Sequence, residues 1–209
     1  MKIKKFNEMN IDSIFDIILS WISKNNEGSV NPYHNNEHLS DIYKNCIEIS
    51  NYENIDDANN LLVAALFHDV NHSGGKYTDD VNIKNSVNSF LQFCYENKDI
   101  IKKYNIDINL VSELIKCTQF PYTVDPKNKL EEILRDADRS ILFNDDFDDT
   151  YKKVIVGISK EQNISIRKQL ENQIKFVENL KYYTQYMNNK LKRLKDIVIS
   201  KYKEKLEKC

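Results

Sequence analysis

Glycine and proline are scarce in this chain, with four glycines and three prolines in 209 residues. Sandwiches and barrels need many tight turns, so the scarcity argues against them and favours long helices joined by few loops. A dominant charge sign is also missing. Charged residues make up 30% of the chain but nearly cancel, at a formal net charge of −2, which leaves no basic footprint for a nucleic-acid duplex. No apolar run approaches the ~18–20 residues of a membrane span. The opening Met1-Lys-Ile-Lys-Lys5 leads into Phe6-Asn-Glu-Met-Asn-Ile-Asp12, too polar for a secretory signal. Cys46, Cys94, Cys117 and Cys209 form no close C-x-x-C pair, so free thiols in a reducing compartment are the simple reading. The expectation is a cytoplasmic protein that does not enter a membrane.

What is present is a core in helical register. The length fits one domain, residues 1–209, and a hydrophobic fraction of 41% can fill it. Ile11, Ile14, Phe15, Ile18, Leu19 and Ile22 recur at three/four spacing, with Asn10 or Asp12 as a cap. After an Asn- and Gly-rich loop, Leu39, Ile42, Tyr43, Cys46 and Ile47 mark a second helix. Leu61 to Phe67 carries no polar residue and reads as a central, fully buried helix. Val87, Phe90, Leu91 and Cys94 mark a fourth helix, and Val111, Leu114 and Ile115 a fifth. Gln119–Pro126 reads as a loop, and helical spacing resumes over Leu130–Leu142. Asp145–Asp149 reads as a loop or a helix start. The pattern is helical again from about Ser165, with one break near Asn179–Gln185. Residues 189–209 form a basic amphipathic tail beyond a core of about 10–188, with Leu191, Leu194, Ile197 and Val198 on one face. Such a run is ordinarily a solvated helix surface; contact with a second copy is the other option.

All four histidines, His34, His38, His68 and His72, fall in one short window. In a helix, His34 and His38 would share a face. His68 and Asp69 end the buried apolar run, just before a Gly-rich turn. Far downstream, Asp138 stands in the stripe Leu134, Ala137, Ile141, Leu142. Its carboxylate is therefore expected to point inward, where an unpaired charge is costly and a cation removes the cost. Asp136 and Arg139 flank it. Any one of these residues alone reads as ordinary core, cap or surface. Together, imidazole nitrogens and carboxylate oxygens suit zinc, iron, manganese, nickel or magnesium.

The pattern His38, His68-Asp69, Asp138 resembles the H…HD…D signature of the HD phosphohydrolase superfamily. Pro32-Tyr-His-Asn-Asn-Glu-His38-Leu-Ser-Asp41 and Ala65-Leu-Phe-His-Asp-Val-Asn-His72-Ser-Gly74 resemble motifs of class I cyclic-nucleotide phosphodiesterases. Leu134-Arg-Asp-Ala-Asp-Arg-Ser-Ile-Leu142 is similar to small bacterial and phage HD proteins of unassigned substrate. The likeness covers roughly residues 30–180. It implies an all-α HD-type bundle with a long C-terminal helical segment, holding one or two divalent metal ions on His38, His68, Asp69 and Asp138. It implies His34 as the general acid for the departing alcohol, Asp69 as a bridge between two ions, and His72 beside the activated water and the substrate phosphate. Gln173-Ile-Lys-Phe176 is similar to the element whose glutamine reads a base edge and whose phenylalanine stacks on it; the plain alternative is Phe176 in the core and Gln173 in solvent. Asn71 stands where an acid is usual, and no counterpart of the glutamate that orients the acid histidine stands out. The implied substrate is a small nucleotide, most simply a cyclic nucleotide or cyclic oligonucleotide. The alternatives are a phosphomonoester or triphosphate hydrolase and a non-catalytic nucleotide-binding protein.

Overall fold

The computed structural model describes residues 8–140 and 146–209, with side chains from Ile14 onward. The protein is all-α, and no strand occurs among the described residues. The helices are α1 (Glu8–Asn25), α2 (Asn36–Tyr52), α3 (Asn59–Phe67), α4 (Asp79–Glu96), α5 (Lys98–Lys103), α6 (Ile108–Cys117) and α7 (Lys129–Asp138). After the undescribed residues come α8 (Phe147–Thr150), a π-helical stretch (Tyr151–Gly157), α9 (Ile158–Glu161), α10 (Ile166–Asn179) and α11 (Gln185–Glu207). No helix among the described residues is long and apolar enough to cross a membrane.

The apolar run Leu61–Phe67 is buried at every position, so α3 has no solvent face to offer. It packs instead against α1, α2, α4, α6 and α7, and these carry the complementary stripes Leu39/Ile42/Cys46, Phe90/Phe93, Val111/Leu114/Ile115 and Ile133/Leu134/Ala137, all buried. Because α3 is central, the residues that end it, His68 and Asp69, emerge in the middle of the fold. Side chains fix where the neighbouring helices begin. Asn35, Asp107, Asn128, Ser165 and Thr184 accept hydrogen bonds from the first-turn amides of α2, α6, α7, α10 and α11, each such cap contributing about 1 kcal/mol.

Several boundaries differ from the periodicity. Helix α1 starts at Glu8, so Asn10 and Asp12 lie inside it rather than capping it. Ile11 falls outside the described side chains, and Ile141, Leu142 and Asp145 outside the described residues. Leu91 and Ile197 are exposed, because each lies off its helix's buried stripe. On α11, Val198 and Tyr202 are buried while Leu191 and Leu194 pack at the edge of the core.

Candidate metal centre

Helix α2 delivers His38 one turn after its cap, Asn35, whose carboxamide oxygen accepts from the amides of Glu37 and His38. His34 precedes that cap and so lies in the loop, not on the helix as a shared face requires; the rings of His34 and His38 nevertheless sit 5.7 Å apart. His68 and Asp69 leave the end of α3, and Asp138 is the last residue of α7. The turn after Asp69 is held open by residues with positive φ, Asn71 at 62° and Gly74 at 63°. Asn71 also accepts from the Glu27 amide (2.6 Å) and donates to Ser89 Oγ (2.9 Å), so an amide, able to do both, suits this position.

These elements bring four ligand atoms together. His38 Nε2 lies 3.2 Å from His68 Nε2. Each of the two is 3.2 Å from Asp69 Oδ2, and Asp138 Oδ1 lies 3.6 and 3.5 Å from them. Metal–ligand bonds of about 2.0–2.2 Å set ligand atoms roughly 3.0–3.6 Å apart in octahedral or tetrahedral coordination. The residues fit a divalent ion.

Protonation supports the same conclusion. His68 Nδ1 lies 2.8 Å from the Ala65 carbonyl, which can only accept, so the neutral ring offers its Nε2 lone pair inward. Two imidazole lone pairs and two carboxylates then face one another, and such a set needs positive charge. Burial opposes charging His68, yet Asp69 and Asp138 hold its pKa well above the ordinary value, and His38, also opposed by burial, is raised by the hydrogen bonds it donates to Asp138 and Asp69. Burial would raise Asp69, but the His68 charge and the bonds from both rings hold it well below its usual range. Asp138 is lowered likewise, with burial overcome by bonds from His38 and His68. His38 Nδ1 has no hydrogen-bond partner among the described residues; that ring is placed by packing between Tyr33 and His68, at centroid distances of 4.9 and 5.1 Å.

A second cluster adjoins the first. His34 Nε2 points to the quartet, 3.9 Å from Asp69 Oδ2, while its Nδ1 lies 2.6 Å from Glu161 Oε2. Glu161 Oε1 accepts from the amides of Tyr33 (2.7 Å) and His34 (2.8 Å). The sequence reading lacked this orienting carboxylate; its only local trace is a lone acid after Ile158-Ser-Lys. His72 is not a fifth ligand. Its ring lies flat against His34, with centroids 3.7 Å apart. Its nitrogens meet the Gly74 amide (3.1 Å) and the Asn82 carboxamide (2.9 Å). Burial, then repulsion from His34, push its pKa down to about 4. His72 thus packs behind His34, and with His34 and Glu161 it forms a second group whose ligand atoms lie within 4.8 Å of one another.

Both clusters open on a cavity of about 430 Å³ lined in part by Tyr33, His34, Asp138, Arg139, Gln173 and Phe176, a volume in the range of small-molecule sites. Gln173 is only 7% exposed and its carboxamide makes no hydrogen bond to another described residue, while Phe176 is partly buried at the core's edge. The plain alternative for this pair is thereby reversed: the glutamine, not the phenylalanine, is the more enclosed. A larger groove of about 690 Å³ runs between Asp146–Asp148 and Lys201–Lys208; it contains no histidine and interleaves lysines with acids, so it has no evident chemistry. Asp136, beside the metal ligand Asp138, faces away from the quartet and accepts from Tyr183 N, Thr184 N and Thr184 Oγ1. It anchors the start of α11.

Comparison with known proteins finds no matching family model, no matching curated protein and no matching solved structure.

Proposed function

We propose that this protein is an HD-type, metal-dependent phosphohydrolase acting on a nucleotide phosphate ester, specifically a phosphodiesterase for a cyclic nucleotide or cyclic oligonucleotide. One observation carries the reading. Asp138 of the His38/His68/Asp69/Asp138 quartet, the Glu161-oriented His34 and the enclosed Gln173 line a single cavity. A divalent ion on the quartet supplies Lewis acidity, polarising a phosphoryl oxygen and making water acidic near neutral pH. Zinc, manganese, magnesium, iron and nickel all suit a mixed imidazole–carboxylate set.

The chain's own residues do the rest. Glu161 accepts the Nδ1 proton of His34, which fixes that tautomer and aims Nε2 toward the quartet. In the imidazolium form, which carries a proton on each nitrogen, Nε2–H gives its proton to the oxygen that leaves phosphorus, the general-acid role, and leaves the neutral Nδ1–H tautomer. The stacked His72 ring and the T-shaped Tyr33 ring, at 4.7 Å, restrict His34 to this orientation. Gln173 offers a donor and an acceptor to a base edge, and Phe176, one turn on, offers a ring face to its plane.

The test is a panel of cyclic and linear nucleotides with each metal, read by release of phosphate, nucleotide and nucleoside. We expect turnover of a diester that chelation abolishes and Asp138→Ala removes. Turnover surviving thorough chelation, or unchanged in Asp138→Ala, refutes the metal reading. Release of phosphate from monoesters or triphosphates alone would replace the diester by those substrates. No turnover with any metal would leave the protein a nucleotide binder.

A further inference from the structure

Arg139 follows the metal ligand Asp138, and the mechanism above does not use it. Its Nε donates to the Arg135 carbonyl (3.0 Å) and its Nη2 to Asp136 Oδ1 (3.1 Å), while the Tyr182 hydroxyl donates to the Arg139 carbonyl (2.9 Å). Three rings surround the guanidinium carbon, those of Tyr122, Tyr182 and Tyr183 at 5.1, 5.4 and 5.6 Å. The side chain is only 13% exposed, and it lines the cavity beside Asp138. Its Nη1 has no hydrogen-bond partner among the described residues. Arg135 makes the contrast. It stacks on the same Tyr122 at 4.3 Å, but its Nε and Nη1 are taken by the carbonyls of Cys117 and Val124 (2.7 Å each). One arginine is structural; the other, held by Asp136 and the Arg135 carbonyl, lines the cavity with one nitrogen that no described residue takes. A planar fork fixed before binding is the form that recognises a phosphate oxygen with least ordering cost.

The charge inventory of the cavity narrows the ligand. Among the described residues lining it there is no lysine, and Arg139 is the sole permanent cation. The neutral Gln162, Gln169, Asn172 and Gln173 make up much of the remaining polar lining. One phosphate with one negative charge can be met there. Beyond an ion on the quartet, a di- or triphosphate would carry further charges into a partly enclosed space where Arg139 alone can receive them and Asp138 repels them, and unpaired charge away from water is costly.

We propose that Arg139 is the residue that binds the substrate's phosphate, and that the cavity is matched to a singly charged phosphodiester and discriminates against di- and triphosphates. This rests on the phosphohydrolase reading given above and specifies its substrate class.

Probes that do not depend on the unknown base test it: bis(4-nitrophenyl) phosphate as the diester, 4-nitrophenyl phosphate as the monoester, and tripolyphosphate as the polyanion. Binding to the full-length, metal-loaded protein is followed by calorimetry and by the side-chain Nε–H resonance of Arg139. That signal is assigned from its loss in Arg139→Lys. The diester should shift it, and Arg139→Met should weaken diester binding about 10- to 100-fold, the loss expected for one charge-assisted phosphate contact. Tripolyphosphate should bind at least about tenfold more weakly than the diester. Arg139→Met removes the ion pair to Asp136 but leaves that carboxylate its three donors from Tyr183 and Thr184; circular dichroism checks its fold, and the resonance shift in the native protein stands independently of that variant. An unmoved resonance, unchanged binding in Arg139→Met, or tripolyphosphate binding as tightly as the diester overturns the proposal. Turnover of the diester with Arg139 unmoved would overturn this proposal but leave the phosphohydrolase reading standing. Diester binding that moves Arg139 without turnover by any metal would do the reverse.

Discussion

Glu161 grips the loop of His34 through one ring nitrogen and two amides, so its carboxylate orients the proton donor without touching the metal quartet. Glu161→Gln should keep full metal content, measured by elemental analysis, and lower kcat about 10- to 100-fold, as loss of an orienting carboxylate does. Loss of metal in this variant would place Glu161 in the wrong cluster. His34→Ala should also keep its metal and lose rate. His72 gives a separate prediction, from its pKa of about 4 against an ordinary 6.5. Between these values the unfolded chain takes up a proton that the buried ring refuses, so stability falls as pH drops from 6.5 towards 4. The loss reaches about 3 kcal/mol at the acid end. Glu161, which His34 and the amides of His34 and Tyr33 hold below its usual range against burial, adds to the decline only below about 4.5; the other groups of the site act elsewhere or oppositely. The raised His38 and His68 lose their contribution as pH rises above 6.5, the lowered Asp69 and Asp138 act below 3.8, and Asp79 and Asp136, raised by burial, favour the acid side. Urea denaturation of metal-free protein at several pH values should show the acid-side decline, and His72→Gln should flatten it. At this scale the sequence pointed to the four clustered side chains because His68, Asp69 and Asp138 ended or broke an apolar pattern and His38 lay in the same histidine-rich window. Glu161 broke none: its partner lies 127 residues away, and nothing local marks a carboxylate that acts at such range.

The element that aims Glu161 is the π-helical stretch Tyr151–Gly157 continuing into α9. A wider turn has no 3.6-residue period, which is why Val154, Ile155, Gly157 and Ser159, all buried, left no helical stripe in the sequence between Asp149 and Ser165. Two features press this stretch onto the His34 loop and α2. Lys153 bridges Glu37, Asp41 and Asp149 at 2.9, 2.8 and 3.0 Å. At Gly157, an added Cβ would meet the Pro32 carbonyl at 3.0 Å and Tyr33 Cβ at 3.3 Å. Gly157→Val should therefore destabilise the protein by about 1–3 kcal/mol through overpacking. It should also lower kcat by more than it lowers metal affinity, since it displaces Glu161 and His34 while the quartet stands on other helices. Equal loss of both, in kinetics and metal titration, would mean that the stretch supports the whole fold and not the acid alone. By contrast α3 and α2 were legible, since an unbroken apolar run and a three/four stripe admit few other readings.

Across the whole molecule, the four residues that could hold a metal ion come from three separate places in the chain: α2, the end of α3, and the end of α7. These helices also share the central core, with α3 packed against both α2 and α7. Folding must therefore bring two carboxylates and two imidazoles within 3.2–3.6 Å, a cluster the unfolded chain never forms. An ion that binds the folded cluster alone raises stability by RT ln(1 + [L]/Kd), about 2.7 kcal/mol at a hundredfold excess over Kd. For a chain of this length that corresponds to a rise in Tm of roughly 5–10 °C. Metal titration of chelator-stripped protein, followed by thermal melting, should show this rise for at least one divalent ion. The response should vanish in Asp138→Asn, which keeps the shape of α7's last residue but removes one charge and one strong ligand. Glu161→Gln should respond as the native protein does, because its carboxylate lies in the other cluster. If Asp138→Asn still melts higher with metal, the ion binds elsewhere. The convergence of those three helices would then be a packed, protonated polar core with no metal, and the phosphohydrolase reading would lose its foundation.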